Sequence, residues 1–165
     1  MKASVLAATL AGFIALPATV AVAQDLQHWG SSDYWDVLID PTLGNGCLIQ
    51  SEFQDGSVVR IGLDQISGFG YVTAFNAAWG DIQEGTMYPV SFMLDGEQFD
   101  GEARGIYLNG VPGADIEFDS SDFFMGIARH QNMTLLHDGA EVMSIDLTGT
   151  MAGLDAVLTC QDEQG

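Results

Sequence analysis

Carboxylates are the most abundant groups in this sequence that could do chemistry. Asp115, Glu117 and Asp119 share one face of a predicted strand, and Asp122 follows closely. Calcium takes six to eight oxygen ligands, so side chains aligned in this way could supply part of a site. No EF-hand-type loop accompanies them, and a solvated acidic face is the alternative interpretation. These four residues are a candidate calcium site, although our expectation for the whole protein is that it has no metal and no cofactor.

The sequence contains no motif typical of a catalytic centre. A nucleophilic serine needs a strained turn such as G-x-S-x-G, and the nearest match, Ser67 in the segment ISGFG, lacks the first glycine. His28, His130 and His137 are not spaced like zinc ligands. Carboxylates that converge from distant strands cannot be recognised by spacing. We therefore predict no catalytic residue and keep a hydrolase with converging carboxylates as an alternative function.

Aromatic side chains offer a further kind of site. Tryptophan and tyrosine rings can form a platform for sugars, but aromatic residues at alternating strand positions more often belong to the core. The candidates are Trp29, Tyr34, Trp35, Tyr71, Trp79, Tyr88 and Tyr107. A calcium- or carbohydrate-binding β-sandwich module is accordingly the second alternative function.

The charge balance excludes one class of partner. Four basic residues oppose 23 acidic ones, which gives a net charge of −19 at pH 7. Lys2 is the only lysine, so beyond residue 23 only Arg60, Arg104 and Arg129 remain and the net charge is −20. Binding to nucleic acid needs clustered basic residues, which this chain lacks. We expect the partner to be an unidentified protein or small ligand and exclude nucleic acid.

The first 23 residues have the features of a cleaved export signal. Lys2 provides a positive start, residues 5–16 are apolar, Pro17 ends the run, and small residues precede Gln24. An apolar run of about a dozen residues is shorter than the roughly 20 that a membrane-spanning helix needs. We predict a periplasmic or secreted protein that does not insert into a membrane once the signal is removed.

The only two cysteines are expected to form a disulfide. Cys47 and Cys160 are an even pair in an exported chain, which favours oxidation. The loop between them is long, so the chain-entropy model gives about 4 to 5 kcal/mol of stabilisation. The predicted bond ties an early strand to the C-terminal end of the chain.

Short segments with a period of two, separated by turn dipeptides, indicate an antiparallel β protein. The turn signals are Asp55-Gly56, Asp95-Gly96, Asn109-Gly110 and Asp138-Gly139. After Ser121 and again after Leu147, the apolar residues follow the spacing of a helix instead of alternating with polar residues. The fold predicted is mainly β, an antiparallel β-sandwich or partly open barrel of seven to nine strands with two short helices near the C-terminus.

A single folded unit is predicted to follow the export signal. Residues 24–34 are interpreted as a mobile leader, residues 35–160 as one β-rich domain, and residues 161–165 as a tail. The sequence has no internal repeat or low-complexity linker that would divide the domain further. The oligomeric state stays open.

Several features resemble one family of exported proteins. They are the strand segment Trp35-Asp36-Val37, the early Cys47 and a final segment with Leu147, Gly149, Gly153, Leu154, Ala156 and Leu158. In this order they are similar to the invasion-associated locus B proteins of alphaproteobacteria, although this chain lacks that family's second cysteine pair and is more acidic. The resemblance implies a periplasmic or surface location and a β-rich fold without catalytic residues. We therefore predict an exported, non-catalytic binding or envelope-associated protein of unknown ligand.

Overall fold

The structure is a computed structural model that describes residues 25–119 and 121–165. The side chains of residues 121–123 are outside this description. The predicted export signal, residues 1–23, also lies outside the described residues.

One antiparallel sheet dominates the fold. Its ten strands in the described residues are β1 Gln27–Ser32, β2 Trp35–Asp40, β3 Gly46–Glu52, β4 Val58–Asp64, β5 Phe69–Phe75, β6 Met87–Leu94, β7 Glu97–Leu108, β8 Val111–Phe118, β9 Asn132–His137 and β10 Ala140–Asp146. Two helices lie near the C-terminus, α1 Ser121–Ile127 and α2 Thr150–Gln164. The order across the sheet is β1-β2-β3-β4-β5-β8-β7-β6-β9-β10, an open sheet. The predicted mainly β fold with two C-terminal helices is confirmed.

The sheet curves around a single main core. Val37 of β2 and Ile145 of β10 come from opposite ends of the strand order, yet both belong to the same buried cluster. Leu154 and Val157 of α2 join that cluster and are completely buried. We call the side of the sheet that faces this cluster the concave face and the opposite side the outer face.

Local turn chemistry explains the tight hairpins. A two-residue turn with both residues at positive φ matches the twist of the strands that it joins, and glycine, asparagine and aspartate tolerate this backbone best. The φ values are 48° and 94° at Asp95-Gly96, 51° and 83° at Asn109-Gly110, and 50° and 76° at Asp138-Gly139. At Asp55-Gly56 only the glycine has a positive φ, and the aspartate instead accepts a hydrogen bond from the backbone N–H of Ser57.

Residues 27–32, which belong to the predicted leader of residues 24–34, lie in a strand. This segment is β1, which pairs antiparallel with β2 from Gln27 opposite Ile39 to Ser32 opposite Trp35. Its Trp29 packs against the main core and donates its indole N–H to Glu163 at 2.8 Å. The strand depends on contacts with distant residues, which a local reading of the sequence does not contain.

Most of the predicted C-terminal tail, residues 161–165, lies in a helix. Helix α2 continues to Gln164, so residues 161–164 belong to it. Gln161 accepts a hydrogen bond from the backbone N–H of Cys47 at 2.9 Å, which fixes the end of the helix to β3. Within the described part of the chain, neither helix has the length and hydropathy that crossing a bilayer requires.

The predicted disulfide between Cys47 and Cys160 is confirmed. The two sulfur atoms are bonded, the Cα atoms are 6.1 Å apart, and both residues are completely buried. Helix α2 also packs closely on β3 at Gly153, because this residue has no side chain. A Cβ atom on Gly153 would lie 3.2 Å from Ile49, tighter than ordinary van der Waals contact.

Candidate ligand-binding cavity

A cavity with mostly apolar walls opens on the concave face, away from the end that α2 covers. Its volume is about 380 Å³. It lies between strands β6 to β10 and the segment 76–86, which joins β5 to β6. The larger wall residues are Trp79, Tyr88, Val90, Leu135, His137 and Val142. We call this space the apolar cavity.

Small residues create the space. The remaining wall includes Ala78, Gly80, Ala103, Gly105 and Ala114. Segment 76–86 passes so close to β7 that position 105 must be glycine. A Cβ atom there would lie 2.3 Å from the carbonyl oxygen of Gln83. The carbonyl of Gly105 accepts from the N–H of Gly85, and its N–H donates to the carbonyl of Thr86, both at 2.8 Å. The end of segment 76–86 is thereby held against β7.

Two tyrosines fix the same segment from the strands. The hydroxyl oxygen of Tyr88 accepts a hydrogen bond from the backbone N–H of Gln83 at 2.9 Å. The hydroxyl of Tyr107 donates to the carbonyl of Ile82 at 2.6 Å. Because each tyrosine belongs to a strand, the sheet holds in place residues 82 and 83, of which Ile82 lines the cavity.

His137 is the polar group best placed to orient a ligand in the apolar cavity. Its Nδ1 lies 3.0 Å from the carbonyl oxygen of Pro89, and since a carbonyl can only accept, Nδ1 carries the hydrogen. The ring meets Tyr88 edge-on, with centroids 5.8 Å apart. The other nitrogen, Nε2, is then an acceptor when the imidazole is neutral, and it lies 3.6 Å from a carboxylate oxygen of Asp138. Apolar walls with one such group are typical of a small-molecule site.

The carboxyl groups with displaced pKa values are all shifted toward the charged form. Hydrogen bonds cause each shift because they favour the ionised carboxylate. In the described part of the chain, the carboxyls with a lowered pKa are Asp55, Asp95, Asp100 and Asp146. Ser57 donates to Asp55 and Thr148 donates to Asp146. Gln131 and Asn132 donate to Asp95, and Gln98 and Ser91 donate to Asp100. A general acid would need a raised pKa instead. None of these four carboxyls lines the apolar cavity.

The candidate calcium residues lie on the outer face around an arginine. Nη2 of Arg104 is 2.9 Å from Asp115 and also forms an ion pair with Glu117. The other oxygen of Asp115 accepts from the hydroxyl of Thr73 at 2.7 Å. Asp119 borders the same region, whereas the Asp122 side chain lies outside the described residues. The guanidinium thus takes the position between two carboxylates that a cation would share.

Among the described side chains, no three histidine, cysteine, aspartate or glutamate residues are placed to hold one metal ion. His130 instead lies 3.3 Å from Asp95, and His28 lies 3.9 Å from Asp36. Calcium binding by Asp115 and its neighbours stays a prediction.

The aromatic residues considered as a sugar platform are dispersed. Trp35 and Tyr71 are buried and Tyr34 is exposed, while Trp79 and Tyr88 enter the apolar cavity. The cavity is not predicted by the sequence because the side chains of Ala103, Gly105 and Ala114 have no reactive or hydrogen-bonding group. The available signal was a run of small residues at inward positions of neighbouring strands, and it could be interpreted only once the pairing of β7 with β8 was known.

No protein-family model and no curated protein matches the sequence. Among solved structures, the crystal structure of invasion associated protein B from Bartonella henselae has a similar fold, with a TM-score of 0.59 and 12% sequence identity. The match covers 84% of this chain and 99% of that chain. This chain is similar in fold to invasion associated protein B. The predicted resemblance is confirmed for the fold, and at this identity no residue role transfers from invasion associated protein B.

Proposed function

We propose that this chain is an exported, non-catalytic binding protein of the periplasm or cell surface, and that the apolar cavity is its ligand site. The cavity carries the proposal, because a mostly apolar space of this size with His137 placed to orient a ligand fits a small molecule. Export is supported by the disulfide, which persists in oxidising compartments. It is also supported by the signal-like first 23 residues and by the likeness in fold to a protein named as invasion associated.

The ligand class follows from the walls and the charge. Trp79, Val90 and Leu135 offer apolar contact, and burial of apolar area supplies the affinity. An anionic ligand would be repelled by the exported chain, whose net charge beyond residue 23 is −20. Nε2 of neutral His137 can accept one hydrogen bond. The expected ligand is therefore a small neutral apolar molecule with one donor group, such as a hydroxyl.

Binding fits the cavity better than hydrolysis does. Its described wall contains no serine, threonine or cysteine that could act as a nucleophile. It contains one carboxylate, Asp81, whereas glycoside hydrolysis needs a facing pair. The alternative of a hydrolase with converging carboxylates therefore gains no support at this site.

A neutral dye can test the proposal. Nile red should bind the wild-type protein with increased emission, and Val142→Trp should weaken binding by at least about tenfold, since the indole fills the space that the dye occupies. Val111→Trp is the matched control, because Val111 is also a half-buried strand valine but does not line the cavity. Melting temperatures of both variants show whether each is folded.

Two results of the dye experiment would contradict the proposal. Equal dye binding by wild type and Val142→Trp would show that the apolar cavity is not the site. If Val142→Trp does not fold, Ala103→Leu reduces the same space from β7 with a smaller side chain. Loss of binding in Val111→Trp alone would likewise contradict the proposal.

A further inference from the structure

The outer face of the sheet holds a second, polar cavity at its centre. Its volume is about 220 Å³, and Asp40, Arg60, Tyr71, Thr73 and Phe75 contribute to its lining. Arg60 lies on β4, opposite Gln50 of β3 and Thr73 of β5 in the strand register. We call this space the outer cavity. It is formed by side chains that point away from the main core.

Arg60 is held in place but lacks a charged partner. Its Nε–H donates to Gln50 at 2.8 Å, and its Cζ lies 5.5 Å from the centroid of the Phe75 ring. Among the described side chains, no carboxylate oxygen lies within 4.0 Å of this guanidinium. A guanidinium has five N–H donors, and only one of them is used by a described residue.

Partial burial makes the missing partner significant. Arg60 is half-buried, and desolvation is the largest cause that lowers its pKa, although electrostatic interactions with Tyr71 and Asp40 act in the opposite direction. A buried charge is normally paired and hydrogen-bonded, because its transfer from water is unfavourable otherwise. By contrast, Arg104 at the other side of the same cavity is neutralised by both Asp115 and Glu117. Arg60 is therefore the group in this cavity that calls for an anionic ligand group.

Two other residues that line the outer cavity have unused hydrogen-bonding capacity. Asp40 is 9% exposed, and its Oδ1 accepts from both the N–H and the hydroxyl of Thr42. Its Oδ2 has no partner in the described chain. Tyr71 is 6% exposed, and its hydroxyl lies over Gly62, where a Cβ atom would come within 2.8 Å of it. That hydroxyl likewise has no hydrogen-bond partner among the described residues.

The balance of charge decides what kind of ligand fits. Four carboxylates and two guanidiniums line the outer cavity: Asp40, Asp64, Asp115, Glu117, Arg60 and Arg104. A simple anion would meet a net negative cavity on a strongly negative protein. A simple cation would satisfy Asp40 and leave Arg60 unpaired. A ligand with one charge of each sign satisfies both groups without adding net charge.

We infer that the outer cavity binds a small zwitterion of the amino-acid type, with its carboxylate on Arg60 and Tyr71 and its ammonium on Asp40. The volume of about 220 Å³ suits an amino acid with a small side chain, which would lie against the ring of Phe75. The inference does not depend on the function proposed for the apolar cavity, because the two spaces are on opposite faces of the sheet.

The test compares zwitterions with their single-charge analogues. Glycine, L-alanine and L-valine are added to the full exported protein, and the melting temperature and calorimetric binding are measured. L-valine is matched by 3-methylbutanoate, which lacks the ammonium, and by isobutylamine, which lacks the carboxylate. We expect a rise in melting temperature that grows with zwitterion concentration, as for any ligand that binds only the folded state. Each analogue should bind at least about tenfold more weakly than L-valine.

Three variants locate the site. Arg60→Met and Tyr71→Phe should weaken zwitterion binding, and Arg60→Lys should restore part of the affinity because it keeps the charge. Arg129→Met is the control, since it removes the same charge from an exposed position outside the cavity. Tyr71→Phe removes one hydroxyl only, so it keeps the test available if Arg60→Met fails to fold.

The inference is overturned by any of three results. The first is a wild-type protein that responds to none of the three zwitterions. The second is 3-methylbutanoate binding as tightly as L-valine, which would indicate a plain anion site. The third is unchanged binding in folded Arg60→Met, or in Tyr71→Phe if Arg60→Met does not fold. An unchanged response to Nile red in these variants shows that the apolar cavity is unaffected.

Discussion

The apolar cavity and the outer cavity are built from the same strands but by opposite means. Along β7, Ala103 and Gly105 face the concave side while Arg104 faces outward; along β8, Ala114 faces inward and Asp115 outward. The inner space exists because side-chain volume is missing. The outer space exists because polar groups are crowded together without all finding partners. Strand alternation lets one sheet carry two sites of different chemistry.

The two cavities should therefore respond differently to changes in the protein and in the solvent. Affinity in the apolar cavity depends on buried apolar area and on the position of segment 76–86. Affinity in the outer cavity depends on charge, on hydrogen bonds and on the strands β4, β5 and β8. A change that affects one cavity and spares the other supports this distinction, and a change that affects both equally contradicts it.

Loss of the disulfide should have the largest effect. Replacing Cys47→Ala and Cys160→Ala together should lower the free energy of unfolding by about 4 to 5 kcal/mol, because the unfolded chain is no longer closed into a long loop. Urea denaturation of the double variant and the wild type measures the difference. Below the new midpoint, dye binding in the apolar cavity should persist, because α2 packs on β1 to β3 and not on that cavity. A change below about 1 kcal/mol would contradict the expectation.

Of the two cavities, only the apolar cavity should lose affinity when Gly105 is replaced by a larger residue. Gly105→Ala places a Cβ atom 2.3 Å from a backbone oxygen that cannot move freely, so the free energy of unfolding should fall by about 1 to 3 kcal/mol. Nile red affinity should fall as segment 76–86 shifts, while L-valine affinity stays at the wild-type value.

Gly101→Ala is the matched control on the same strand. A Cβ atom there would lie 3.6 Å from Phe92, which is ordinary contact, so stability should change by no more than about 0.5 kcal/mol. If both glycine variants behave alike in urea denaturation and dye titration, close approach at Gly105 is not what forms the wall.

Salt should separate the cavities by their electrostatics. Raising ionic strength from about 0.1 M to 1 M shortens the Debye length from about 10 Å to 3 Å. Zwitterion affinity in the outer cavity should then weaken several-fold, since it depends on charges that are partly exposed, while Nile red affinity should change by less than about twofold. Calorimetric titration at both salt concentrations measures this difference. An equal response of the two ligands would mean that Arg60 and Asp40 do not govern binding.

Low pH should weaken the contact between the Asp95-Gly96 turn and the start of β9, because it protonates the Asp95 carboxylate. The backbone N–H groups of Gln131 and Asn132 hold the pKa of Asp95 below its ordinary value. The ionised carboxylate therefore stabilises the fold above about pH 3.9, and this contribution is lost as the pH falls through the lower folded-state pKa. Asp95→Asn should show a smaller fall in melting temperature than wild type between about pH 5 and pH 2.

Asp138→Asn provides the comparison for that measurement. Asp138 has a similar left-handed backbone in another Asp-Gly turn, with φ of 50° against 48° at Asp95, so asparagine is tolerated at both positions. The acid dependence of Asp138→Asn should be closer to wild type than that of Asp95→Asn. The reverse order would show that the bonds to Gln131 and Asn132 do not set the acid response.

Calcium should have the smallest effect. Because Arg104 already lies between Asp115 and Glu117, the melting temperature should change by no more than about 1 °C on addition of EDTA or calcium. A fall of several degrees with EDTA that calcium alone reverses would restore the calcium site as an explanation for the acidic strand.

The tight turns, the disulfide and the fold class of this chain follow from its sequence. The turns at Asp95-Gly96, Asn109-Gly110 and Asp138-Gly139 form because their residues tolerate positive φ. The disulfide follows because Cys47 has only one possible intramolecular partner. Alternation of apolar and polar residues indicates strands whatever their neighbours are, and so it is sufficient to predict the fold class.

Contacts between distant segments were decided only by the tertiary structure. β1 exists because Trp29 contacts the core and Glu163, and the apolar cavity exists because β7 pairs with β8 beneath segment 76–86. Arg60 has no ion pair among the described residues, since Asp115 pairs with Arg104 and Asp40 accepts its hydrogen bonds from Thr42. Each depends on which residues meet across the sheet, and strand pairing such as β5 with β8 joins segments about 40 residues apart. A pattern read along the chain describes the faces of each strand, but the folded sheet alone determines what those faces enclose.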